Sequence, residues 1–180
     1  LHGGNGMKRL MTLKTVLVAL FVGFTLPLTW AQTQPAADAL SGMNETPMHD
    51  AARMGTRKDI EGLLKASPQN RDIRTPLGAT PLHYAAMNGD SGPLKALLAA
   101  GANPNARDTD GRTPLHMAAF STRKDNAMLL LQAGSDPLLK TNDGRDVLSM
   151  ARKVRADEIA GEISLWILKG CKPGKPVKGC

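Results

Sequence analysis

The sequence predicts an all-α fold, a solenoid of about four helix-turn-helix repeats with hairpin-like loops. Three observations carry the prediction. The heptapeptide TPLHYAA at Thr80 returns as TPLHMAA at Thr113, 33 residues later. The segment behind each copy returns as well: LKALLAAGANPNARDTDGR starts at Leu94 and AMLLLQAGSDPLLKTNDGR at Ala127. Aromatic residues make up only 3% of the 180, so the core must come from small and aliphatic side chains. Such a core suits short helices packed closely and does not suit a large aromatic-lined pocket.

From the N-terminus, residues 1–6 precede the natural start signal at Met7 and read as an upstream or non-native extension. Residues 7–31 open with Lys8 and Arg9, continue through an apolar run at 15–28 and close on TWA before Gln32. That order is the three-part layout of a secretory signal peptide cleaved after Ala31. The apolar run has 14 residues and includes Pro27, whereas a spanning helix needs about 20. The expectation is therefore export without stable membrane insertion after cleavage. No cysteine lies near the cleavage point, which argues against a lipoprotein. Residues 32–44 form a linker.

The repeats follow at 45–79, 80–112, 113–145 and 146–170, with TPMHDAARMG at Thr46 opening the first and DVLSMARKVR at Asp146 the last. Thr113 is placed to cap a helix. Pro114 sits at the first helical position, where a missing N–H costs nothing. Leu115, Ala118 and Ala119 give that helix a narrow apolar face, and the alanines let neighbouring helices approach. A second, leucine-rich helix is expected over 126–133, ended by Gly134 as Gly101 ends its counterpart. The Asp-Gly pairs in DTDGR and TNDGR then signal tight turns at loop tips. One such unit cannot bury its apolar face alone, but stacked units can. The closing repeat has a charged first half and an apolar last helix with Ile159, Ile163, Trp166 and Ile167.

A period near 33 with a T-P-L-H-x-A-A core resembles the ankyrin repeat. The resemblance spans 45–170, with two well-formed repeats between a degenerate leading and a degenerate closing one. There are departures. ASPQNRDIRTPLGA in the first repeat lacks the usual glycine turn and adds one residue. Thr122 stands where Gly89 stands one repeat earlier. Gly92-Pro93 opens a second helix, which is tolerable only if Pro93 lies in the first turn.

His49, His83 and His116 recur at one register position. As a metal or catalytic cluster they fail on geometry. Equivalent positions in stacked helices lie about 8–10 Å apart, and zinc holds its ligands at about 2.0–2.1 Å. The alternative is structural: each imidazole bonds backbone groups and ties its loop to the adjoining unit, which the resemblance also implies. Ser149 holds the equivalent place in the last repeat. No nucleophile elbow, zinc-protease motif, C-x-x-C or phosphate-binding loop occurs. Asp108, Asp110, Asp136 and Asp143 fall in turns, where Asp bends the chain. The expectation is a non-enzyme with no cofactor and no metal.

Partner contacts are carried over by register from the resemblance, in which first helices and hairpin tips form a concave face. They are Asp50, Arg53 and Met54 in the first repeat and Tyr84, Met87 and Asn88 in the second. Met117, Phe120 and Ser121 follow in the third, and Met150 in the fourth. Arg107, Thr109, Asp110, Lys140 and Asn142 trim the rim. Methionine adapts at binding surfaces, and Tyr and Phe anchor them; some of these side chains could equally pack between helices.

The net charge of +7 lies at the two ends, +3 in the first 31 residues and +4 in the last twelve, leaving the middle neutral. A high pI of that origin does not make the folded body a nucleic-acid binder. Residues 171–180 form a basic tail bracketed by Cys171 and Cys180, the only two cysteines. In an exported protein they suggest a disulfide, closed within the tail or opened to bridge a second molecule. The tail is either an electrostatic contact with an anionic surface or a solvated end. Together these features predict a monomeric periplasmic protein that binds another protein. Two roles are open: a helper of an envelope enzyme, antioxidant enzymes being one case, or an immunity-type inhibitor of an envelope-targeting toxin.

Overall fold

The structure is a computed structural model that describes residues 45–171. The expected signal peptide, the linker and the tail beyond Cys171 lie outside them. The described residues hold helices in pairs: α1 Pro47–Met54 and α2 Arg57–Ala66, α3 Pro81–Met87 and α4 Gly92–Ala99. α5 Pro114–Phe120 and α6 Lys124–Gln132 follow, then α7 Val147–Lys153 and α8 Asp157–Leu168. A 3-10 helix, Pro68–Asp72, follows α2, and no strand occurs among the described residues. First helices stack on first helices, α1 on α3, α3 on α5 and α5 on α7. Among second helices, α2 packs on α4 and α6 on α8.

Each first helix starts at a Thr-Pro or Asp-Val step. Thr46, Thr80 and Thr113 take extended N-cap geometry, and the proline after each sits in the first turn. Pro93 also lies in the first turn of α4, so that helix forms over Gly92-Pro93 without losing a bond. The helix expected over 126–133 starts two residues sooner, because Arg123 at the N-cap already turns the chain into α6.

The helix ends share one device. Gly101 and Gly134 have φ of 82° and 101°. The N–H of Gly101 bonds the Leu98 carbonyl and that of Ala102 the Leu97 carbonyl, at 2.9 and 3.0 Å. This is a Schellman end, repeated at Gly134 with the Leu131 and Leu130 carbonyls. The first repeat departs from it. There the 3-10 turn at Pro68–Asp72 replaces the glycine end and absorbs the extra residue. Arg71 then donates from Nη1 to the Ala100 carbonyl at 2.7 Å, capping α4 from the preceding unit.

The expected apolar faces form the core. Ala85, Ala86, Ala118 and Ala119 are fully buried at the first-helix stack, which sets the close approach of α3 and α5. Leu82, Leu94, Leu97, Leu115, Leu130 and Leu131 are fully buried beside them. Burying one such side chain is worth about 1.5–3 kcal/mol. Ile159, Ile163 and Trp166 of α8 close the core at the far end, with Ile167 half-buried.

Candidate functional site

The three histidines come first, because their chemistry decides whether the site is reactive. Nδ1 of His83 accepts from the Thr80 N–H at 3.1 Å and lies 2.9 Å from the Thr80 hydroxyl. Nε2 then carries the proton and donates to the Arg112 carbonyl at 3.1 Å, one repeat on. His49 with Thr46 and His116 with Thr113 repeat the Nδ1 half of the arrangement. Each histidine thus takes the N3 place of a capping box, where Glu or Gln is usual. Burial pushes all three imidazoles below their ordinary pKa, partly opposed by the Ala79, Arg112 and Arg145 carbonyls next to His49, His83 and His116. Buried and bonded through Nδ1, all three rings cap their own helices; His83 also joins its repeat to the next through Nε2, whereas Nε2 of His49 and of His116 is buried without a hydrogen-bond partner.

The loop tips build one wall. Gly78, Gly111 and Gly144 all have positive φ, near 71°, 75° and 79°. Across each tip the chain closes on itself, Asp108 N–H to Arg112 carbonyl and Thr141 N–H to Arg145 carbonyl, both at 2.9 Å. Successive tips then bond to one another: Thr109 N–H to the Leu77 carbonyl at 2.9 Å and Asn142 N–H to the Asp110 carbonyl at 2.8 Å. The Asn142 amide donates to the Thr109 carbonyl at 2.8 Å. Arg74 donates to the Arg107 carbonyl at 2.8 Å. Of the rim residues expected from sequence, Thr109, Asp110 and Asn142 are therefore part of the ladder as well as of the surface. Arg107 and Lys140 are exposed at its edge.

The expected stripe on the first helices divides in two. In its N-terminal half the side chains are tied together. The Tyr84 hydroxyl donates to Glu45 at 2.9 Å, and Arg53 pairs with Glu45 and Asp50 at 3.0 and 2.8 Å. The Arg53 guanidinium lies 5.9 Å from the Tyr84 ring centre, and the His49 ring meets that ring edge-on. Burial and the Glu45 carboxylate push the Tyr84 hydroxyl up to about 12. The Asn88 amide donates to the Ala52 and Gly55 carbonyls at 3.1 and 3.2 Å, so it caps α1 across the repeat boundary. Its donor hydrogens are thus committed within the stack. Met54 stays exposed, and Met87 and Ser121 are half-buried.

The C-terminal half opens into a groove of about 390 Å³ between α5, α7 and the two loop tips beside them. Met117, Phe120 and Met150 supply its apolar surface, and Asp110 and Asn142 part of its polar wall. Phe120 is 52% exposed, whereas Met150 is only 7% exposed. Met150 was expected on the contact surface. It lines the groove as its nearly buried floor.

Arg112, Thr141, Asp143, Arg145 and Lys153 also line the groove and were not expected. A signal for two of them was present. Asp143 is one 33-residue step from Asp110, and Lys153 one step from Phe120. Salt bridges organise the wall. Arg112 pairs with Asp108 at 2.9 Å and with Asp110, and Arg145 with Asp143 at 2.9 Å. Among the described residues no group of three His, Cys, Asp or Glu side chains converges as a metal site, and no helix is long and apolar enough to cross a membrane.

A family model described as ankyrin repeats in three copies matches residues 48–141, just over half of the chain. No curated protein gives a significant match.

Proposed function

The chain belongs to the ankyrin-repeat family, a family of protein-interaction modules that is typically non-catalytic, and from that premise we propose that its first-helix face holds a protein partner. The observation that carries the reading is the split stripe. One half is closed by the Glu45, Arg53 and Tyr84 contacts, and the other leaves Met117, Phe120 and Met150 in an open groove. An exposed aromatic ring, Phe120, over methionines at the groove wall and floor, with a polar rim, is the composition of an adaptable docking surface.

The finer reading adds the place of action. Residues 7–31 direct export, the mature chain works in the periplasm as a monomer, and Cys171 pairs with Cys180 to close the basic tail. There it assists an envelope enzyme, for which antioxidant enzymes are one class of client. A helper raises its client's activity; an immunity-type inhibitor in the same place would lower a toxin's.

The test is capture from an oxidising periplasmic extract by the chain from Gln32 onward, beside a Met87→Asp/Phe120→Asp variant shown to be folded. The expected result is one dominant protein retained by the parent and lost with the variant. Equal capture of many acidic proteins by both would move binding to the basic tail and end the proposal for this face.

A further inference from the structure

The groove between α5 and α7 has an uneven charge that selects what can fill it. Most of its polar groups are already satisfied. Arg112 is held by Asp108 and Asp110, and Arg145 by Asp143. The Thr141 hydroxyl donates to the Asp143 carboxylate and accepts from the Arg145 N–H at 3.1 Å. Asn142 donates to the Thr109 carbonyl and accepts from Arg107 at 3.4 Å. What remains is an apolar floor and one cation. Lys153, in the last turn of α7, lines the groove, is exposed and makes no ion pair among the described residues.

Size narrows the occupant further. At about 390 Å³ the groove is near the lower end of the roughly 300–1,000 Å³ range of small-ligand sites. It has room for one large side chain and its backbone. A polar metabolite would need several convergent donors and acceptors, and here those groups bond one another. A ligand can gain apolar burial against Met117, Phe120 and Met150, and one charge contact at Lys153.

We infer that this groove is a peptide-anchor site: it takes a large apolar side chain of the partner with a carboxylate beside it, the carboxylate meeting Lys153. The inference rests on the docking function proposed above and names the chemistry of that partner's contact segment. The charge complementarity is specific. The paired arginines present no net attraction, so Lys153 alone sets the sign of the preferred neighbour.

The experiment uses the full chain with 13C-labelled methionine methyl groups and two probes, N-acetyl-Trp-Glu amide and N-acetyl-Trp-Lys amide. Trp-Glu should shift the methyl signals of Met117 and Met150 and leave that of Met48, buried in α1, in place. Trp-Lys should bind about 5–10-fold more weakly, the size expected for exchanging one exposed attraction for a repulsion. Lys153→Glu, at an exposed position, should invert that order. Equal affinity for both probes, a Trp-Glu preference that survives Lys153→Glu, or no movement of either groove methyl would overturn the inference. If Met87→Asp/Phe120→Asp still abolishes capture while Lys153→Glu changes neither capture nor probe order, the docking face stands and the anchor chemistry falls.

Discussion

His83 shows how one side chain serves two repeats. Its ring accepts from the Thr80 backbone N–H within its own helix start and donates to Arg112 at the entrance to the next. Removing it leaves the Thr80 N–H and the Arg112 carbonyl without these partners and opens a ring-sized gap. His83→Ala should cost about 2–4 kcal/mol, the sum of an unmade buried hydrogen bond and a cavity. Urea unfolding of parent and variant measures it, and a loss below 0.5 kcal/mol, roughly the scale of a neutral surface change, would contradict the joining role. The closing repeat tests the same idea by its own sequence. Ser149 occupies the histidine position, and there Asp146 does the capping, accepting from the Ser149 N–H at 2.7 Å and the hydroxyl at 2.6 Å.

At the scale of the helix, the ends depart most from expectation. Thr122 aligns with Gly89, which suggests that Gly89 bears the strained conformation and Thr122 escapes it. The reverse holds. Thr122 has φ of 56°, and Gly89 is not among the positive-φ glycines. α3 stops in extended geometry at Asn88, where Asx-type bonds from Asp90 to Asn88 and from Gly92 to Asp90 turn the chain. α5 instead ends in a Schellman turn, with Thr122 and Arg123 N–H groups on the Ala119 and Ala118 carbonyls. Arg155 does the same after α7, at φ of 57°. A β-branched residue in the left-handed region costs about 1–2 kcal/mol, and glycine forfeits part of that in chain entropy. Thr122→Gly should therefore stabilise the protein by about 1 kcal/mol, read as a higher denaturation midpoint with an unchanged slope. A destabilisation would mean that the Thr122 side chain makes a contact worth more than the strain.

Across the whole molecule, the repeats are held by contacts that step from each unit to the next. Asn126 is the clearest polar case: it is buried, and its amide donates to the carbonyls of Ala85, Ala86 and Asn88 at 2.9–3.2 Å, tying α6 to the end of α3. Lys124 pairs with Glu158 at 2.6 Å on the outer side, though exposed pairs of this kind contribute little. The histidine column makes the stack pH-sensitive. All three rings are held below their ordinary value of 6.5 by burial. In the unfolded chain they gain protons as pH falls below about 6.5, and in the folded chain only at lower pH. The unfolded state then binds more protons, so stability falls with pH in that window. Asp59, Asp143 and Asp146 are held below 3.8 chiefly by Thr56, Thr141 and Ser149, so their contributions persist to lower pH and go only in strong acid. The melting temperature should fall between pH 7 and pH 5, before any carboxylate loss. A flat profile across that interval would show that the rings titrate alike in both states.

The sequence alone determined the period, the starts of the Thr-Pro first helices and the core. Thr-Pro caps, small alanines and leucine-rich second helices are local signals, repeated until their register is unambiguous. It also put the expected stripe on the first helices, since the 33-residue step carries one position onto its equivalents. Tertiary structure decided which parts of that stripe are available. Glu45 closes the Tyr84 end by reaching across helices, Asn88 is drawn to the α1 carbonyls, and α7 with its loop tip encloses Met150 as a floor and presents Lys153 beside it. Those outcomes depend on what lies opposite each side chain in the neighbouring repeat. A local pattern cannot state them, because burial and pairing belong to two units at once.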